Sequence, residues 1–122
     1  MCIRDRAGAR ASTYTITPVR DPGTTRRELA ATNGILCVVE KNRHLFTLDN
    51  VRIHLDDVSS LGSYIEFEAI VPAGRCPEDE RPRVLALQEA FGIRAQRLVA
   101  YAYADLLTRA ADGNPRLSAA TP

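Results

Sequence analysis

Residues 51–71 read VRIHLDDVSSLGSYIEFEAIV, and the fold turns on how this stretch is read. Successive side chains of a strand point to opposite faces. Over 51–58, Val51, Ile53, Leu55 and Asp57 therefore point one way, and Arg52, His54 and Asp56 the other. Over 63–71, Ile65, Phe67, Ala69 and Val71 share one face, and Glu66 and Glu68 the opposite one. The segment 59–62 turns the chain between them. Immediately upstream, 35–48 reads as one long strand that places Lys41 and Arg43 on a common face. Asp49-Asn50 joins it to the next strand, because both residue types tolerate the positive φ of a tight hairpin turn. The pattern predicts an antiparallel meander of three strands with one apolar and one charged face.

Outward from this meander, 12–19 (STYTITPV) has strand composition, and Pro18 confines it to a sheet edge. Asp21-Pro22 is a helix start, an acidic N-cap before proline at the first helical position. That helix is expected to stop at Asn33-Gly34, a left-handed C-cap signal. The stretch 72–82, rich in proline and acids, reads as a loop. A helix over 83–91 ends at Gly92. A second helix over 95–111 carries Leu98, Tyr101, Ala102, Asp105 and Leu106 at spacings of three and four. Residues 1–11 read as a disordered leader and 113–122 as a flexible tail, leaving 12–112 as the folded unit. The fold class is α+β.

Composition bounds the function. The 122 residues suffice for one domain, and 45% hydrophobic with 25% charged residues is the balance of a globular chain rather than a disordered one. The longest strictly apolar run, 35–39, is too short to span a membrane. Cys2, Cys37 and Cys76 are odd in number and lack CxxC spacing, which argues against a disulfide framework and a zinc site and fits the reducing cytoplasm. A net charge of +1 gives little bulk attraction for DNA or RNA. His44 falls on the face opposite Lys41 and Arg43, and Cys37 reads as a small buried hydrophobe.

The charged face is where chemistry concentrates. It sets a cationic pair, then Arg-His-Asp, then a carboxylate pair on adjacent strands. One reading is a half-solvated sheet, apolar inside and charged outside. Its composition points further. Glu66 and Glu68, about 7 Å apart on one side of a strand, repel unless a divalent cation or neighbouring arginines relieve them. Arginine forks and a lysine supply donors for phosphate oxygens, and carboxylates supply hard oxygens for a metal. Both signs interleaved on one surface suit a metal–triphosphate complex.

At these residues the sequence resembles a known family. Arg52-Ile53-His54-Leu55-Asp56-Asp57-Val58, followed by Leu61-Gly62-Ser63-Tyr64-Ile65-Glu66-Phe67-Glu68, is similar to the C-terminal signature of the CYTH domain family, which includes class IV adenylyl cyclases and thiamine triphosphatases among the triphosphate tunnel metalloenzymes. Lys41-Asn42-Arg43 sits where that family has its K-x-R strand, and Tyr103-Ala104-Asp105-Leu106-Leu107 looks like its closing helix motif. The resemblance covers roughly residues 13–108.

It implies an antiparallel sheet forming part of a barrel of about eight strands, with helices packed outside and a charged tunnel inside. It implies that Lys41, Arg43 and Arg52 contact phosphates and that Asp56, Glu66 and Glu68 hold Mg²⁺ or Mn²⁺. His54 shares their face, and a structural hydrogen bond is the role expected of it. The implied activity is that of a metal-dependent phosphohydrolase or nucleotidyl cyclase acting on ATP, thiamine triphosphate or tripolyphosphate. A homodimer is a further expectation. The family's E-x-E-x-K strand is missing from this sequence, so the chain reads as the C-terminal two-thirds of such a domain. A non-catalytic polyphosphate- or nucleotide-binding module, or an inactive fragment, is the alternative.

Overall fold

The computed structural model describes residues 11–111; the expected tail and, save for Ala11, the expected leader lie outside them, as does Cys2. The order is α1 (Pro22–Asn33), β1 (Lys41–Leu48), β2 (Val51–Val58), β3 (Gly62–Ala69), α2 (Pro77–Ala90), a 3₁₀ turn (Ala95–Arg97) and α3 (Tyr103–Ala111). The class is α+β, and the three strands form an open antiparallel sheet in the order β1-β2-β3.

The hairpin turns fall where the residue types allow them. Asp49 takes φ 52° between β1 and β2, and Ser60 and Gly62 take φ 67° and 94° between β2 and β3. The register then fixes the faces. Arg43 lies opposite Asp56, Leu45 opposite His54, Arg52 opposite Glu68, and His54 opposite Glu66. Directly opposed residues point to the same side, so one face carries the charges and the other Ile53, Ile65, Phe67 and Ala69.

That second face is the core. Val51, Ile53, Phe67 and Ala69 are buried against Val84 of α2, with Ile65, Leu87 and Ile93 around them. Phe91, just past α2, meets Phe67 edge-on at 5.4 Å between ring centroids. Polar bonds fix α2 to the first hairpin: Asn50 donates to Glu80 at 2.8 Å and to the Ile70 carbonyl at 2.9 Å, and Arg83 donates to Asn50 at 2.7 Å.

Several expected elements differ. Residues 12–19 form no strand and are exposed; a β-favouring composition needs a neighbouring strand to pair with, and among the described residues there is none. The strand expected over 35–48 begins at Lys41, because Lys41 opposes Val58, the last residue of β2, and 35–40 meets no further strand among the described residues. A single further bond, from the Ser59 amide to the Glu40 carbonyl at 2.9 Å, continues the ladder. The loop expected over 72–82 is half helix. Pro77 occupies the first turn of α2, where its missing N–H costs nothing, and Glu78, Asp79 and Glu80 face the positive end of the helix dipole. Pro82 lies within the helix. The helix expected over 95–111 is split: only Tyr103–Ala111 is α-helical, and Asp105 accepts from the Ala102 amide at 3.2 Å to start it.

α1 lies where expected. Asp21 accepts from the Gly23 amide at 3.0 Å, and Gly34 ends the helix at φ 74°. It buries no residue. With the segment 35–39 it walls an open groove of about 690 Å³ that includes Leu29, Ile35 and Val38. Among the described residues no helix is long and apolar enough to cross a membrane.

Candidate functional site

The alternation of β1, β2 and β3 brings Lys41, Arg43, Arg52, His54, Asp56, Glu66 and Glu68 onto one face, and cross-strand register pairs them by sign. Arg43 grips Asp56 in a two-pronged fork, Nε to Oδ1 at 2.5 Å and an Nη to Oδ2 at 2.6 Å. Lys41 Nζ reaches the same carboxylate at 3.1 Å. Arg43 also touches Glu66 at 3.3 Å, and Arg52 reaches Glu68 at 3.4 Å. His54 sits between the two glutamates, its Nδ1 3.3 Å from Glu66 and its Nε2 3.7 Å from Glu68. The pair that would repel if left alone is thus separated by an imidazole and flanked by two guanidiniums.

Depth is graded across the face. The Asp56 side chain is wholly buried, whereas those of Lys41, Arg43 and Arg52 remain 29%, 31% and 48% exposed. The anion lies beneath and the cations reach from it toward solvent. The Arg43 fork holds the Asp56 carboxyl well below the usual carboxylate range, overcoming the opposing effect of burial, with Lys41 and Tyr103 adding to it. The same bond raises the Arg43 guanidinium further.

Two tyrosines from outside the sheet complete the network. Tyr103, the first residue of α3, donates to Asp56 Oδ2 at 3.0 Å. Its ring lies 5.1 Å from that of Tyr64, and the Lys41 ammonium stands 5.0 Å from its centroid. Burial, reinforced by the bond to Asp56, pushes the Tyr103 phenol above its ordinary range. Tyr14 donates to Glu68 Oε1 at 3.0 Å. The sequence marked Tyr103 only as part of a helix motif and Tyr14 only as strand composition. An apolar ring with one polar tip was the available signal, since a buried tyrosine hydroxyl finds an acceptor.

All six residues singled out from the sequence, Lys41, Arg43, Arg52, Asp56, Glu66 and Glu68, therefore share one surface. Both Asp56 oxygens are occupied by cations and a phenol. Among the described residues no three His, Cys, Asp or Glu side chains are placed to hold a metal ion. The donor set with the right chemistry for Mg²⁺ or Mn²⁺ is the Glu66/Glu68 pair, which has hard oxygens but stands on either side of His54. His44 lies on the opposite face, as its position in the alternation predicts.

No protein-family model matches the chain, and no curated protein matches it. Two solved structures share its fold. The PH1012 protein from Pyrococcus horikoshii OT3 superposes with a TM-score of 0.65 at 22% identity, over 72% of this chain and 52% of its own length. A conserved hypothetical protein from Pyrococcus furiosus superposes with a TM-score of 0.63 at 17% identity, over 72% of this chain and 53% of its own. The chain spans about half the length of the solved structures it matches.

Proposed function

We propose that the charged face is a cradle for a triphosphate group and its divalent cation, and that the sheet is one part of a CYTH-type triphosphate site within a barrel. The observation that carries this reading is the layered pairing of the face: three partly exposed cations, Lys41, Arg43 and Arg52, sit above buried or half-buried carboxylates on adjacent strands. Cations held this way are fixed in position and still solvent-accessible. A triphosphate can take hydrogen bonds from the arginines and a point charge from the lysine as it draws them partly off their carboxylates. The buried Asp56 sets the direction of Lys41 and Arg43.

Glu66 and Glu68 are the residues that would hold Mg²⁺ or Mn²⁺, which when bound would supply positive charge against the phosphates. Catalysis in such a cradle is positioning and charge neutralisation. In hydrolysis, water attacks the terminal phosphorus and the bridging P–O bond breaks, leaving a diphosphate. In cyclisation, the ribose 3′-hydroxyl attacks the α-phosphorus and diphosphate leaves. Both use the same cradle and differ in which oxygen is presented.

The competing reading is a non-catalytic polyphosphate- or nucleotide-binding module. It is favoured by the engagement of both Asp56 oxygens with Lys41, Arg43 and Tyr103, which a metal would have to displace or share. One assay separates the two. The purified chain is incubated with tripolyphosphate and Mn²⁺, and both bound ligand and released phosphate are measured. Metal-dependent release that is abolished by Glu66→Ala or Glu68→Ala supports the enzyme. Saturable binding without turnover supports the module. Absence of binding, or binding unchanged by Arg52→Ala, overturns both.

A further inference from the structure

The two oxygens of the Asp56 carboxylate are unequally loaded. Among the described residues, Oδ1 accepts from Arg43 Nε. Oδ2 is shared by Lys41 Nζ at 3.1 Å, an Arg43 Nη at 2.6 Å and the Tyr103 hydroxyl at 3.0 Å. Three donors on one oxygen compete for two lone pairs, so the departure of one strengthens the others. They differ in freedom. The Lys41 and Arg43 side chains are charged, come from the sheet and are about one-third exposed. Tyr103 carries a neutral phenol on the first residue of α3, and its half-buried ring rests against Tyr64. Leu106, one turn further along α3, is buried and anchors that end of the helix. The Lys41 ammonium lies within cation–π range of the same ring. Tyr103 thus meets Lys41 with its ring and Asp56 with its hydroxyl.

We infer that Tyr103 is a positioning residue of the charged face: its hydroxyl keeps hold of Asp56 while Lys41 and Arg43 turn from that carboxylate to a phosphate. This role rests on the triphosphate reading of the face. The Asp56 side chain is wholly buried, and a buried carboxylate stripped of its donors is costly. Without the phenol, a departing Lys41 and Arg43 would leave Asp56 stripped in this way, and the carboxylate would hold them back. With the phenol, one charge-assisted bond stays behind and tightens as its competitors leave. The phenol cannot follow the cations outward, because its ring is held by Tyr64 and its backbone by the start of α3. A helix residue 47 positions away in sequence therefore sets how readily the cations of β1 are released.

Tripolyphosphate binding by the full chain is measured calorimetrically for the wild type, Tyr103→Phe, Asp56→Asn and the double variant, each checked for fold by circular dichroism. Tyr103→Phe keeps the ring and loses the hydroxyl, and is expected to bind about tenfold more weakly. With Asp56→Asn there is no buried anion to compensate, so adding Tyr103→Phe is expected to change affinity by less than about twofold. Tyr103→Phe binding as tightly as the wild type, or an equal loss in both backgrounds, overturns the role and leaves the triphosphate reading standing. A wild type that binds no tripolyphosphate removes that reading, and this role with it. A second measurement needs no variant, because Lys41 is the only lysine in the sequence. Isotopically labelled lysine then gives one side-chain resonance. Saturation with tripolyphosphate is expected to shift it, while the nuclear Overhauser contact between the Tyr64 and Tyr103 rings persists. Binding that leaves the Lys41 resonance unmoved, or that abolishes the ring contact, overturns the role.

Discussion

Asp56 accepts four hydrogen bonds from three side chains, two of them on β1 and one on α3. A carboxylate so placed orders its neighbours as much as it is stabilised by them. Asp56→Ala removes the anion and leaves the Tyr103 hydroxyl without its acceptor. The expected cost is about 1–3 kcal/mol, at the modest end because Lys41 and Arg43 can turn to solvent, read from the urea midpoint at constant m-value. The pH dependence follows from the direction of the shift. A carboxyl held below its ordinary value of 3.8 contributes stability that is fully present above that pH and is lost as pH falls below it. Acid unfolding of the wild type should therefore steepen below about pH 4, and Asp56→Asn should flatten that limb. Tyr103 behaves oppositely. Its phenol is held above its ordinary 10.0, so its contribution is present below pH 10 and declines above it, as the unfolded chain ionises first. Tyr103→Phe should remove this alkaline decline, followed by thermal midpoints between pH 9 and 11.

At the scale of elements, the strands were legible because period-two alternation is a direct consequence of the pleat. Val51 to Glu68 needed no tertiary information to be sorted into faces. What lay beyond the sequence was where pairing stops. The apolar run 35–39 has strand character and yet lies outside the sheet, since β2 ends at Val58 and offers it no partner. Strand pairing is a property of two segments, and a single window sees one. The acidic stretch before Arg83 was legible in principle: Pro77 followed by Glu78, Asp79 and Glu80 is a helix N-terminus, but Pro82 outweighed it as a breaker. Within α2, Pro82 removes the bond its amide would make to the Glu78 carbonyl. Pro82→Ala should consequently stabilise the protein by about 1–2 kcal/mol, less than the full helix-propensity difference because the unfolded chain also gains freedom. Phe67→Ala tests the opposite face. Phe67 is 1% exposed, wedged between the sheet, α2 and Phe91, and its truncation should cost about 3–5 kcal/mol. The same measurement on Phe46→Ala, at an exposed position, should move the monomer little.

For the whole molecule, an apolar face packed on α2 leaves the charged face outside that core, held by ion pairs and by hydrogen bonds from two tyrosines. The site was readable as a set of residues because all six lie on one parity of three consecutive strands. The manner of their pairing was not, because which cation reaches which carboxylate depends on register, and the tyrosine donors arrive from segments far away in sequence. This arrangement makes ligand binding a competition. A triphosphate must draw Arg43 and Arg52 partly away from Asp56, Glu66 and Glu68, so affinity and fold stability are coupled. If the cradle binds only when folded, tripolyphosphate at about a hundred times its dissociation constant should add about 2.7 kcal/mol, a rise of about 10 °C or more in the thermal midpoint of a domain this size. The rise should shrink as sodium chloride is increased, because the cations are partly exposed and screened. Arg43→Ala should abolish most of it, and His44→Ala, on the other face, should leave it intact. Sulfate at matched ionic strength is the deciding control: an equal shift with sulfate would mean that any multivalent anion relieves the crowded cations, and a cradle shaped for a triphosphate would not be needed to explain it.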